Sequence, residues 1–579
     1  MATLSLRHSF KKILQKDNLL LKMIDHMESL NKSSQFTNIV QGDMWKKKAA
    51  MYPNQLVIPY FLYSDDIELN NPLGAHSTTH TVTNFYFSFP VLPNEDTKLD
   101  HIFLAASIKS SDLQVHGIDK CLLPLVNQLI DLEVAGIEID LNNGKVYNPH
   151  FLPCLIIGDN LGLNTILGYR KSFSGTFCRL CRIDKNMSNV TTSAIPSLKR
   201  TYANYRLDVN TGDPSKTGIV SECVFNKIPS FHVVDNLSVD AMHDVFEGIC
   251  HYDLSFAILY FTNTKKYFSL KTLNARKQKF DYGELEIGNI SPKITITHLK
   301  NRHLKMSAKE MMTFLLYFPL IVGDMIPDDD EVWIFILTLI QIVEKILKFS
   351  VTEFSISSLE NLIEKHNKDF IRLFKTNLKP KYHLLVHYPE IIRKCGPVRK
   401  FWSFQFESKH RSFKLYTHAI TSRKNICFSL EKKYQFTFSN FLLNSSTSNN
   451  LVVLQKDLTV CELNDDICAQ LKIPKRQLYF YNKVILQNIV YKKDLFVAEC
   501  EIDYNIYRII NVFCLDNHIY IFGERFKDVV YCSHYRAFEI HVNKVEGAFA
   551  VNIKNLIGHP TTAIKTHTGK YMIRIKELY

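Results

Sequence analysis

The amino-acid sequence predicts an α/β fold: a strand-rich first part with carboxylates at strand ends, then a long helical stretch, then a smaller β-rich C-terminal region. Three observations predict it. Between residues 57 and 158, apolar β-type runs recur with turn-forming residues between them. From about residue 245 to 375 the apolar residues fall at helical spacing, over 308–318, 332–349 and 357–373. Beyond a Ser- and Asn-rich stretch at 444–450, short β-type runs alternate with turns, at 477–481, 506–514, 518–522 and 571–575.

With 579 residues, 46% of them apolar, the chain is folded and too long for one hydrophobic core, so two or three domains are expected. Residues 1–50 read as an amphipathic helical segment, with Leu19, Leu20, Met23, Ile24 and Met27 at helical spacing and lysines between them. Lys46, Lys47 and Lys48 make a short basic run, read as solvated surface, with a nuclear address or a phosphate contact as its functional alternative. Residues 51–244 hold the first part of the core. There Val57-Ile58-Pro59-Tyr60-Phe61-Leu62-Tyr63 is strand-like and runs into Asp65 and Asp66, and Asn70-Asn71-Pro72-Leu73-Gly74 marks a turn. Strands at 81–89, 101–108 and 151–158 and a helix at 118–135 fit a sheet with acids at its strand ends. Residues 245–375 are expected as a helical insertion, 376–440 as the end of the core, 441–450 as a linker and 451–579 as the β-rich domain.

The formal charge is +13, from 70 Lys and Arg against 57 Asp and Glu, which favours polyanionic partners and, above all, nucleic acid. Thirteen cysteines without a cleavable leader fit a reducing compartment, where thiols stay free or bind metal. No apolar run reaches the roughly 18 to 20 residues that cross a bilayer; the most apolar segment, 313–325, is short and contains a proline. A soluble, intracellular protein with no membrane partner is therefore expected, and one acting on chromosomal DNA would be nuclear.

Three separated stretches bring carboxylates into apolar surroundings: Asp65 and Asp66 after the first strand, Asp159 after Leu155-Ile156-Ile157, and Glu407 among Phe401, Trp402, Phe404 and Phe406. Any one of these acids fits a helix cap or a surface turn. All three in such settings point to a shared site, because a buried acid is costly unless it is paired or binds a cation. The sequence alone leaves Asp65 and Asp66 as alternatives for the first acid. Lys409, His410, Arg411 and Lys414 follow Glu407 and suit a phosphate backbone beside it.

Cys178 and Cys181 have the spacing of half a zinc site, and Asp240 and His243 supply an acid and an imidazole that would complete a four-ligand set. His383 and His387, four apart, are spaced to share one helix face, with core packing in their apolar segment at least as strong a reading as a shared ligand role. A thioredoxin-like role for the cysteines lacks the βαβ context it requires. Neither a phosphate-cradling glycine loop nor a nucleophile elbow occurs, so kinase, P-loop and hydrolase readings are poor.

In order, Asp65-Asp66-x-Glu68-x-x-Asn71-Pro72-Leu73-Gly74, Gly158-Asp159 followed by Gly168, Cys178-x-x-Cys181, Asp240-x-x-His243 and Phe406-Glu407-x-Lys409-His410 resemble the transposases of CACTA (En/Spm-like) DNA transposons. The resemblance covers roughly residues 50 to 425. It implies an RNase H-like catalytic core with a large α-helical insertion between the second Asp and the Glu. In such a core Asp65 or Asp66, Asp159 and Glu407 hold Mg²⁺ or Mn²⁺ for DNA strand cleavage and strand transfer of the DDE type. Implied partners are double-stranded DNA, as transposon ends and target, and further copies of the chain. The chain begins about 60 residues before the first acid and lacks a zinc-finger or helix-turn-helix signature ahead of it, which suits a truncated or domesticated copy. Two other readings stand beside it: a non-enzymatic DNA- or chromatin-binding protein with the same fold, and a metal-dependent nuclease that cuts without joining.

Overall fold

A computed structural model describes residues 2–69, 81–93, 99–141, 144–419, 424–444, 453–454, 458–462, 465–475, 477–486, 489–500, 504–516 and 518–575. The turn expected at Asn70–Gly74 and the linker positions 445–450 lie outside them. The chain divides into two compact units, one of residues 1–249 with 342–445, the other of residues 250–341 with 446–579.

The first unit is built on a five-stranded sheet. Its strands are β1 (Ala2–Thr3), β2 (Val57–Glu68), β3 (Thr81–Ser88), β4 (Phe103–Lys109) and β5 (His150–Ile157), in the order β1-β4-β3-β2-β5. The three consecutive strands β2, β3 and β4 are antiparallel neighbours, while β5 runs parallel to β2. Between β4 and β5 the chain crosses over through the helix Ile118–Val134, as a parallel pairing requires. Both β2 and β5 are near-continuous apolar runs because both of their faces are covered.

Alternation along β2 separates two faces. Tyr60 meets Phe10 of the helix Leu6–Gln15, whose ring also packs on Phe87, Phe89 and Phe151. Phe61 and Tyr63 face the other way, toward Phe401 and Phe406, and the Tyr63 and Phe406 rings stack 4.5 Å apart at 8°. An offset ring pair adds roughly 0.5–1.5 kcal/mol beyond its buried area, which favours this seating of the helix Phe404–Ala419 on the strand.

The N-terminal segment forms the helices Leu6–Gln15, Leu19–Lys32 and Asp43–Ala49 after β1. The basic run there is only partly surface. Lys46 and Lys47 are exposed, but Lys48 is buried and its ammonium donates to the Ser230 carbonyl. Ser230 in turn donates through its amide and its hydroxyl to the buried Glu133 at 2.7 Å. Lys48 is therefore corrected from a solvated or phosphate-contacting side chain to an interior one.

The helical stretch expected as one insertion is divided. The helix Glu353–Phe374 lies in the first unit, whereas Cys250–Leu259, Leu270–Lys279 and Ala308–Val322 belong to the second, with the C-terminal strands. Positions 441–443, expected in a linker, close the helix Ile426–Leu443. In the second unit Val545–Asn552, His518–Phe526, Tyr504–Leu515, Gln477–Tyr481 and Leu458–Glu462 lie side by side, each antiparallel to the next. No helix among the described residues is long and apolar enough to cross a membrane.

Candidate metal centre and acid cluster

The parallel pairing of β2 with β5 brings the first two acids to the same end of the sheet. Tyr63 pairs with Ile157, and two residues beyond each of them stands an aspartate, Asp65 still on β2 and Asp159 just past the end of β5. Gly158 is required at this approach, since a Cβ there would stand 2.5 Å from the Ser64 carbonyl oxygen. Asp159 caps the following helix Asn160–Ile166, accepting from the Gly162 amide at 2.5 Å.

Asp65 and Asp66 are separated by strand alternation. Asp65 lies on the Tyr63 face, where its Oδ2 meets Nε2 of His410 at 3.0 Å and accepts from the Tyr63 hydroxyl at 3.2 Å. Asp66 takes the opposite face and accepts from the hydroxyls of Thr83 and Ser110. Asp65 thus shares a face with the helix that carries Glu407, and Asp66 does not.

Glu407 sits one residue after the ring stacked on Tyr63. Burial pushes its pKa up to about 8; the nearby His243 works against the shift, and Asp65, Asp240 and Glu247 add to it. Burial also raises Asp159, partly offset by the Gly162 amide and reinforced by Asp65. Asp65 adds to the shift at both acids, though burial is the larger cause, and a neighbouring positive charge opposes it.

His243 supplies part of that charge. Its Nε2 lies 3.4 Å from Glu407, and its Nδ1 lies 2.5 Å from Asp240, a buried acid that also accepts from the Ser403 amide at 3.0 Å. Burial opposes the imidazolium, but the Asp240 hydrogen bond and charge, with Glu407 and Glu247, outweigh it and push the pKa up to about 10.

The basic residues after Glu407 divide as well. Arg411 and Lys414 are exposed. Lys409 reaches the Leu99 carbonyl at 2.8 Å, and burial lowers its pKa. His410 is buried between Asp65 and the Tyr86 hydroxyl, 3.2 Å from its Nδ1. It is corrected from a phosphate contact to a partner of the first acid, because its place on the helix turns it toward the sheet.

The cysteine pair finds different partners from those expected. Cys178, Cys181, His383 and His387 are all buried, and their ligand atoms all lie within 4.8 Å of one another. Cys181 Sγ is 3.2 Å from His383 Nε2, Cys178 Sγ is 3.7 Å from His387 Nε2, and the two Nε2 atoms are 3.1 Å apart. Around a tetrahedral zinc with ordinary bond lengths, sulfur and nitrogen ligands stand about 3.5 Å apart, so this set fits such an ion. The ligand set Cys178, Cys181, Asp240 and His243 is corrected accordingly, since the Asp240–His243 pair is engaged with Glu407. The histidines come from the helix Pro380–Leu385 and the turn after it, where the spacing of four places both rings on one side. That spacing was the available signal, and the apolar surroundings hid it.

Proton sharing within the centre is uneven. Burial opposes a Cys178 thiolate, but the Cys181 hydrogen bond and the two imidazoles outweigh it and hold the Cys178 thiol well below its ordinary pKa, while Cys181 is raised. A bound cation would displace the remaining proton. Arg200 fixes the loop from behind, with Nε and Nη2 donating to the Cys178 carbonyl at 3.2 and 3.1 Å.

Among the described residues the carboxylates do not form a second group of this kind. Asp65 is taken up by His410 and Tyr63, Asp159 by the Gly162 amide, and Glu407 faces His243. No family model matches the chain, and no curated protein matches it.

Proposed function

We propose that the chain is a DNA-cutting and DNA-joining enzyme of the transposase type, with an RNase H-like core and Asp65, Asp159 and Glu407 as its catalytic acids. One observation carries the reading. Three consecutive antiparallel strands are followed by a strand parallel to the first; one acid lies on the first strand, one two residues past the end of the parallel strand, and one on a helix packed over the first strand. The order of the motifs in the sequence, which resembles CACTA transposases, supports the same conclusion, as does the basic charge of the chain.

The donors are carboxylate oxygens, the ligands that Mg²⁺ and Mn²⁺ prefer. When bound, such an ion polarises the phosphate and activates the attacking hydroxyl. The chain's own residues hold the site ready for it. His410 and Tyr63 orient Asp65, the Gly162 amide orients Asp159, and Asp240 holds His243 against Glu407, the one acid with a cationic partner that a bound ion would replace. Arg411 and Lys414, exposed on the Glu407 helix, would meet the DNA backbone nearby. The buried Cys/His centre is made of other residues than the acids and would hold zinc as a structural ion. Work on DNA in this way assigns the protein to the nucleus and calls for a second copy when two DNA ends are joined.

The test is Mn²⁺-dependent nicking and joining of labelled duplexes that carry candidate transposon ends, comparing wild type with Glu407→Gln. Nicks and joined products in wild type alone are the expected result. Nicks without joining would make the protein a nuclease, and DNA binding with no cutting by either protein would make it a DNA-binding protein on the same fold.

A further inference from the structure

The two halves of the Cys/His centre each send a neighbouring residue into one buried hydrogen-bond network. Arg179, between the two cysteines and 2% exposed, donates from Nη1 to Asn160 Oδ1 at 2.6 Å and from Nη2 to the Ser238 carbonyl at 2.9 Å. Asn160 follows Asp159 in the chain and donates to Asp244 Oδ1 at 2.6 Å. From the other half, the hydroxyl of Tyr388, next to His387, donates to Asp244 Oδ2 at 3.1 Å. Lys381, two residues before His383, donates to the carbonyls of His243 and Glu247 at 2.7 and 3.1 Å.

The segment gripped in this way is unusual. Met242–Ile249 is a π-helical turn, and His243 lies within it. Such turns are rare because their hydrogen bonding is poorer than that of an α-helix, and they persist where surrounding contacts over-determine them. Here those contacts come from both cysteine and histidine segments, and they converge on the fully buried Asp244, one residue from His243.

We infer that the Cys/His centre positions the acid cluster through Asp244, with Arg179 and Tyr388 as positioning residues for the Asp240–His243 pair and for Asp159. Metal at the centre closes the Cys178–Cys181 loop onto the histidine segment. That holds Arg179 and Tyr388 at a fixed separation, across which Asn160 and Asp244 are strung. None of the positioning groups touches the reacting atoms. The inference deepens the catalytic reading given above, but rests on it only for its activity arm.

The test is hydrogen exchange of the full chain, zinc-loaded and chelator-stripped, with Asp244→Asn and the milder Tyr388→Phe as variants. Stripping is expected to release the amides of 240–249 and 159–166 while the β2–β4 strands stay protected. Both variants should retain their zinc and show faster exchange over 240–249, with kcat for Mn²⁺-dependent nicking down about tenfold and KM for DNA little changed, the size of an outer-shell loss. Arg179→Lys, which keeps the cation, should restore part of what Arg179→Met loses. Unchanged protection of 240–249 after stripping would overturn the inference, as would activity loss in Tyr388→Phe with unaltered exchange. A chain that never nicks DNA yet loses protection there on stripping would sink the catalytic reading and leave the positioning network standing.

Discussion

The Cys/His centre and the acid cluster lie in the same unit of the chain and differ in how their polar groups are satisfied. In the first, four buried side chains bring their ligand atoms within 4.8 Å of one another. In the second, each carboxylate has its own protein partner, and the side chains of Asp65 and Glu407 remain 21% and 32% exposed. A closed, soft-ligand shell suits a structural ion, whereas oxygen donors with solvent access suit an exchangeable hard ion and a substrate. Burial of the whole ligand set, rather than the number of candidate ligands, is what sets the two clusters apart.

Substitution at the paired aspartates should change activity most. Asp65→Asn should cost Mn²⁺-dependent nicking about three orders of magnitude, because several kcal/mol of charge stabilisation go with the ligand. Asp66→Asn, on the other face of β2, should leave the rate near wild type. Equal losses in the two variants would remove the assignment of Asp65 as first acid.

The closed site is tested by metal content. His383→Ala or Cys181→Ser should lower zinc affinity by more than about 100-fold, beyond the usual cost of an outer-shell partner, and should lower the melting temperature. Asp240→Asn should leave zinc content unchanged. Zinc loss in that variant would return Asp240 to the ligand set.

A smaller effect is expected from His410→Gln, which removes the partner of Asp65 without removing the acid. Nicking should fall about tenfold, in line with an orienting residue, while salt-dependent DNA affinity stays constant. Arg411→Ser and Lys414→Ser should do the reverse, each lowering the salt slope of DNA binding by about one with little sequence preference. If His410→Gln changed the slope as they do, its buried placement would be wrong.

The smallest effect lies outside both clusters. Burial pushes Glu431, on the helix Ile426–Leu443, up to about 7, partly offset by a backbone hydrogen bond from Ser107. The folded chain therefore keeps a proton that the unfolded chain releases near pH 4.5, so this group's contribution to stability declines as pH rises from about 4.5 to 7. Thermal melts of Glu431→Gln at about pH 5 and pH 7 should differ less than those of wild type; identical differences would contradict the burial effect.

Much of the architecture was legible locally. The apolar runs that became β2 and β5, the helix at Ile118–Val134 and the strand Gln477–Tyr481 follow from periodicity and turn residues, which act over a few positions. The candidate acids and the cysteine pair were visible as polar residues in apolar settings. Their partnerships were not. Nothing near Cys178 distinguishes His383 and His387 from His243 as ligands, and nothing near Asp65 distinguishes it from Asp66, because the choice depends on segments up to some 340 residues away. Likewise, Lys48 and His410 read as surface cations, yet their places on helices turn them inward to Ser230 and to Asp65. Local sequence dictates which segments become strands and helices and which residue types are costly to bury. Which of those residues meet is settled by packing, since laying a face against the sheet selects a side chain's neighbours by direction and not by distance along the chain.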